Sequence, residues 1–253
     1  QHLGDDPSHF KRFKREFLNC SRCEHENVIR LFDCGKLANG FPYYTMEYLV
    51  GQTLEGLLRD EGALPSHRVE LLFGKIVSAV AVMHKKGVVH RDLKPANVIV
   101  VHKDRPVLLD FGLAVSDEQT RLTRTGAIVG TLYFLAPEVL AGNKAKEQAD
   151  VYSLGVILYY MLTGRLPFRS ERPEEFFLAV LAGDYEPLAK WVPQNSKRWA
   201  PIVDGSLCRN VGERFANGGQ LAAALSGEAL SPKKKLSTVP IEEATRFNAW
   251  FLL

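Results

Sequence analysis

Apolar residues at Phe10, Phe13, Phe17 and Leu18 recur every three or four positions among Lys and Arg. That spacing predicts an amphipathic helix after Pro7-Ser8, ending near Cys23. Residues 28–32 and 43–48 read as two strands, and Asn39-Gly40 between them is a hairpin turn signal. From Thr53 the pattern turns helical. Residues 69–86 form a long apolar-rich helix with Gly87 as its cap. Residues 98–101 and 107–109 are short strands, and residues 112–136 a Thr-rich, weakly patterned loop. A loop of that length inside a compact domain is usually functional. Residues 150–162 are apolar nearly all round, which predicts a helix buried in the middle of a helical unit and stopped by Gly164 and Pro167. Further helices are expected at 173–182, 196–208 and 217–226, and a linker at 227–240. No internal repeat is evident. The pattern is a small strand-bearing unit followed by a larger helical one.

Hydrophobic residues make up 46% of the 253 and charged residues 24%, enough to bury a core without disulfide or metal staples. One large domain or two lobes around a cleft fit this length. A formal charge of +3 is too small to argue for nucleic acid. The basic clusters at 11–15 and 233–235 read as solvated faces. Four cysteines suit a reducing compartment. Cys20 and Cys23 form a C-x-x-C pair without a second ligand pair, so packed thiols are expected rather than a metal site. No apolar run is long enough for a bilayer, and the first residues are not a signal peptide. No Met precedes Gln1, so the numbering is expected to begin inside a longer protein. The expected location is cytoplasmic, on its own or as the cytoplasmic part of that protein.

The candidate chemistry lies in the middle of the chain. Asp92 and Asp110 are carboxylates beside loop-forming elements, Asn97 offers a neutral oxygen, and Lys94 is a nearby cation. Hard oxygen ligands suit Mg²⁺, which binds through one or two protein oxygens plus substrate phosphates. A cation beside them suits a phosphoryl group in transfer. An Asp near a hydroxyl can orient it and accept its proton.

His90-Arg91-Asp92-Leu93-Lys94-Pro95-Ala96-Asn97, then Asp110-Phe111-Gly112, then Ala136-Pro137-Glu138 resemble, in order, the motifs of the eukaryotic-type (Hanks-type) serine/threonine protein kinase catalytic domain. The resemblance covers residues 8–225 and has a bacterial style. It implies an α+β, bilobal kinase-like fold with a truncated, strand-bearing N-lobe (1–47), a hinge (47–52) and a helical C-lobe (53–226). Residues 227–253 are then a linker and tail. It implies ATP and Mg²⁺ as cofactors and proteins as substrates, with no nucleic acid partner. Oligomeric state is not legible.

By the same resemblance Asp92 is the catalytic base, and Lys94 neutralises the transferred phosphate and favours serine/threonine acceptors. Asn97 and Asp110 are the magnesium ligands. His90 and Phe111 belong to a packed column between the lobes. Glu16, followed by His25-Glu26-Asn27-Val28-Ile29, lies on the regulatory helix and pairs with the ATP-anchoring lysine; alone it reads as a surface charge. Met46 is the gatekeeper, the backbone of Glu47 and Leu49 binds adenine, and Ile99 forms the floor, although these apolar residues also suit ordinary core. Thr123 or Thr125 is the expected phosphorylation switch, read by a buried Arg91 in need of a counter-charge; an always-ordered loop is the alternative. Thr131 contacts Asp92 and Lys94. Glu138 and Arg214 form a buried ion pair, and Asp150 holds the catalytic-loop backbone. The family's glycine-rich loop and strand lysine are not in this sequence, and the lysine is expected just before Gln1. A pseudokinase or scaffold that binds without transferring phosphate is therefore the alternative function. A small-molecule phosphotransferase fits less well, because those usually lack the Ala-Pro-Glu motif.

Overall fold

The apolar pattern is realised most directly in the two longest helices of the computed structural model, which describes residues 7–109, 132–170 and 172–228. In α3 (Ser66–Lys85), Val69, Leu72, Phe73, Ile76, Val77, Val80 and Met83 are buried. They lie on one face because 3.6 residues make a turn. In α5 (Glu147–Thr163), burial runs almost without a break from Ala149 to Leu162. It has no solvent face because α3, α8 (Pro193–Leu207) and α9 (Gly218–Leu225) all pack on it. The α5–α8 crossing is close: a Cβ on Gly155 would sit 2.6 Å from the Ser206 Cβ.

The small unit comprises α1 (Pro7–Ser21) and an antiparallel pair, β1 (Leu31–Lys36) and β2 (Pro42–Met46). Phe13 of α1 lies over Tyr44 of β2, with ring centroids 6.3 Å apart, so the apolar stripe of the helix is what docks it on the sheet. The hairpin turns where Asn39-Gly40 is expected, and Gly40 has φ 84°. The first strand begins at Leu31 rather than at Val28. Val28 and Ile29 are buried, and this segment is spent on the larger unit instead. Ile29 N–H donates to the Leu108 carbonyl, and Leu108 N–H to that of Asn27, both at 2.9 Å. The Asn27 amide donates to the Pro106 carbonyl at 2.7 Å. The apolar run is buried between the units, where Val28 makes a single parallel bridge to Leu108 of the larger unit instead of extending β1.

Residues 47–50 lead from β2 to β3 (Gly51–Thr53), which pairs antiparallel with β4 (Val98–Val101), itself paired with β5 (Arg105–Leu108). Thr53 caps α2 (Leu54–Glu61) by accepting the Gly56 N–H at 3.0 Å, as an N-cap hydroxyl does. Two short helices have no clear periodic signal, α4 (Pro137–Leu140) and α7 (Leu188–Trp191). The helix expected at 196–208 starts earlier, at Pro193, where a proline is tolerated in a first turn. The helix expected at 173–182 is α6 (Pro173–Ala182).

Candidate active site

The loop 90–97 is held from beneath by one buried carboxylate. Asp150, in the first turn of α5, is 1% exposed. Its Oδ2 accepts the His90 N–H at 2.7 Å and its Oδ1 the Arg91 N–H at 2.9 Å. Arg91 has φ 69°, a left-handed conformation that costs a non-glycine residue about 1–2 kcal/mol. Successive N–H groups around such a residue can form a concave anion site, and here they converge on the Asp150 carboxylate. A third donor is the His84 Nε2, 2.9 Å from Oδ2. The His84 Nδ1 accepts the Gly218 N–H at 2.9 Å, so the proton of the neutral ring must be on Nε2. Thus α3, α5 and the start of α9 together fix the loop. Gly218 is needed there, since a Cβ would fall 2.8 Å from the Ala81 nitrogen. Sequence reasoning found Asp150 but missed His84, which reads as one more position on an apolar helix.

Above this anchor lies a compact polar set. The Lys94 Nζ is 3.1 and 2.9 Å from the two Asp92 oxygens. The Asn97 Nδ2 donates to the Asp92 carbonyl at 2.8 Å and to its Oδ2 at 3.0 Å. This uses the Asn97 amide as a donor and leaves its side-chain oxygen without a described hydrogen bond. A 3-10 turn, Pro95–Asn97, carries Asn97 directly into β4. The Asn97 carbonyl then accepts the Leu109 N–H at 2.8 Å, and the Leu109 carbonyl accepts from the His90 Nε2 at 2.9 Å. Both backbone groups of the residue before Asp110 are therefore held by the 90–97 loop. His90 is fully buried, and burial lowers its pKa. Asp110, Phe111, Thr123, Thr125 and Thr131 lie outside the described residues.

Glu16 points from α1 towards this loop, 3.8 Å from the Arg91 Nη1 and 3.4 Å from the Arg12 Nε. Contrary to expectation, Arg91 is not buried: its side chain is 36% exposed, whereas the neighbouring His90 is fully buried. Met46 ends β2 and is exposed. The Glu47 N–H is engaged by the Arg30 carbonyl at 2.9 Å, whereas no backbone hydrogen bond occupies the Glu47 carbonyl or Leu49 N–H among the described residues. Ile99 lies on the less buried face of β4, opposite Val98 and Val100.

Two supports flank the site. The Arg214 side chain is 0% exposed and meets Glu138 with two bonds of 2.8 and 3.1 Å. It also donates to the Cys208 and Gln148 carbonyls, so its charge is fully matched. The Ser153 hydroxyl, also missed in the sequence, is 2.7 Å from the Phe134 carbonyl and ties residues 132–136 to α5. Cys20 and Cys23 are buried, and burial, with Cys23 and Glu16 nearby, pushes the Cys20 thiol up to about 12. Among the described residues no group of three or more His, Cys, Asp or Glu could hold a metal. The magnesium donors this site can offer are therefore few: the Asn97 oxygen, with Asp110 next along the chain from the fixed Leu109. That fits an ion that takes one or two protein oxygens and completes its shell with phosphate and water.

A family model of the protein kinase domain matches residues 3–224. The chain belongs to the protein kinase family. It is 33% identical over 204 residues to the serine/threonine-protein kinase PrkC of Bacillus subtilis, covering 81% of this chain and 30% of that protein. It is 31% identical over 227 residues to the serine/threonine-protein kinase PknB of Mycobacterium leprae, covering 88% and 36%. The kinase sequence therefore spans about a third of the length of these curated relatives. Its fold resembles the crystal structure of the Mycobacterium tuberculosis PknI kinase domain (C20A mutant), with a TM-score of 0.66 at 23% identity, covering 90% of this chain and 81% of that one. No described helix of this kinase is long and apolar enough to cross a membrane.

Proposed function

We propose that this kinase transfers the γ-phosphoryl group of ATP to serine or threonine hydroxyls of proteins, with residues 1–226 as the catalytic domain and 227–253 as linker and tail. The observation that carries this reading is the Asp92 carboxylate clasped by Lys94 and Asn97 on a loop pinned through Asp150. The acceptor hydroxyl forms the new O–P bond as the bond to the β-phosphate oxygen breaks and ADP departs. Asp92 orients that hydroxyl and accepts its proton. Lys94, within 3.1 Å of both Asp92 oxygens, balances charge on the phosphoryl oxygens. Magnesium, held by Asn97 and Asp110, would neutralise the nucleotide phosphates. Met46 and Ile99 would hold adenine, and the Glu47 carbonyl and Leu49 N–H would hydrogen-bond it. His90 and Phe111 align the lobes, and Thr131 steadies Asp92 and Lys94.

The same reading makes Arg91 the receptor for a phosphate on Thr123 or Thr125. It is half-exposed and only distantly held by Glu16, so a dianion could recruit it. ATP supply places the domain in the cytoplasm. The test is transfer of labelled γ-phosphate to a serine/threonine protein substrate by the purified protein, with and without magnesium. The proposal expects magnesium-dependent phosphoserine or phosphothreonine. Binding of substrate with no transfer would instead support the scaffold reading.

A further inference from the structure

A concavity lies away from the loop 90–97. It is a groove of about 540 Å³ between the end of α5, the loop that follows it, and α7, with Tyr133, Tyr160, Arg165, Arg169, Glu186 and Trp191 among its walls. Local structure sets up its chemistry. Gly164, with φ 67°, ends α5 in the left-handed conformation. The Arg165 N–H then donates to the Thr163 hydroxyl at 3.0 Å, and the Arg165 guanidinium comes to lie over the Trp191 ring, 4.2 Å from its centroid. A guanidinium packed on an aromatic ring can still offer N–H groups to a carboxylate.

The charge in this groove is unbalanced. Its carboxylate, Glu186, is paired with Lys190. Arg165 and Arg169 have no carboxylate partner among the described residues, and both are exposed. The remaining walls are aromatic and aliphatic, with Leu166 and Pro167 beside the tyrosines and Trp191. Tyr133 packs edge-on against Phe176 at 5.0 Å between centroids, which fixes its ring. Two guanidinium groups without a carboxylate partner among the described residues, beside apolar and aromatic walls, complement a carboxylate next to a bulky apolar side chain. They are too few for the backbone of a nucleic acid, where affinity needs many phosphate contacts.

Position favours a substrate chain as the occupant. Tyr133 lies two residues after Thr131, the threonine that resembles the acceptor-side contact, and its segment is tied to α5 through Ser153 and Phe134. We propose that this groove docks an acidic segment of the protein substrate that carries an aromatic or large aliphatic side chain. This rests on the kinase reading for the identity of the partner as a substrate, and on the groove alone for its acidity.

The test is fluorescence anisotropy with the purified protein and no nucleotide, so that it does not depend on phosphate transfer. The probe is a short fluorescein-labelled peptide with glutamates around one Phe and one Ser; the control has Lys for every Glu. The acidic peptide is expected to bind about tenfold more tightly than the basic one, and the Arg165→Glu/Arg169→Glu variant to reverse the preference. Should that double change disturb the turn after α5, Arg169→Gln at the exposed rim is expected to weaken the acidic peptide about threefold. Equal binding of the two peptides, or unchanged affinity in both variants, would overturn the proposal. So would tighter binding of an oligonucleotide or of phosphatidylserine vesicles that displaces the peptide. Binding as expected with no phosphate transfer would sink the kinase activity and leave the acidic docking groove standing.

Discussion

Replacing Asp150 with Asn removes one oxygen from a carboxylate that accepts three N–H donors. Oδ2 takes two of them, from His90 and His84, and Oδ1 takes Arg91 alone. The asparagine keeps its oxygen where two donors meet, which turns its own NH₂ against the Arg91 N–H. A buried donor left without an acceptor costs about 1–3 kcal/mol, and the surviving bonds lose their charge assistance. The expected loss is about 2–4 kcal/mol, a large share of the 5–15 kcal/mol typical of a domain. That lowers the melting temperature by about 10 °C for a domain of this size. The local signature is more telling. Arg91 is held left-handed by this contact, so its amide should lose hydrogen-exchange protection more than the core of α3 does, and phosphate transfer should fall further than the loss of folded protein explains. Circular dichroism melts and exchange mass spectrometry read both effects. A melting shift under about 2 °C with unchanged exchange at Arg91 would refute the anchor.

The buried pair behaves differently from a surface one. Glu138→Ala strands the Arg214 charge and should cost about 3–5 kcal/mol, read by urea unfolding; a loss under about 1 kcal/mol would mean that the two carbonyls suffice. The burial-lowered pKa of His90 means that the unfolded chain takes up a proton near pH 6.5 before the folded one does. Stability should therefore fall as pH drops from about 6.5 towards the lowered value, by at most about 1.4 kcal/mol per unit from this group. His90→Phe should flatten that slope, and an unchanged slope would contradict the burial argument. With its thiol pushed up to about 12, Cys20 should resist iodoacetamide at pH 8 until the protein unfolds, whereas the less buried Cys34 labels first.

The loop 90–97 is legible because its residues are contiguous: Asp92, Lys94 and Asn97 meet through one short turn, so spacing along the chain is nearly spacing in space. The buried helices are legible because period 3.6 is imposed by the core. What escapes is chemistry assembled from distant segments. His84 joins Asp150 across 66 positions and Gly218 across 134, and nothing local distinguishes it from a packed histidine. Residues 28–29 misled for the opposite reason, because β-branched residues serve a bridge between units as well as a strand. The docking groove gathers an arginine-rich turn, a short helix and the segment after Thr131, none of which carries a motif.

In the proposed reaction Asp92 accepts the proton of a protein hydroxyl during phosphate transfer. Single-turnover transfer by Asp92→Asn, beside a melt showing that the variant is folded, tests it most directly. Asn can keep a bond to Lys94 or Asn97 but cannot serve as the base, so the rate should drop about 10²- to 10⁴-fold with peptide affinity little changed. Wild-type transfer by a folded Asp92→Asn protein would contradict the account.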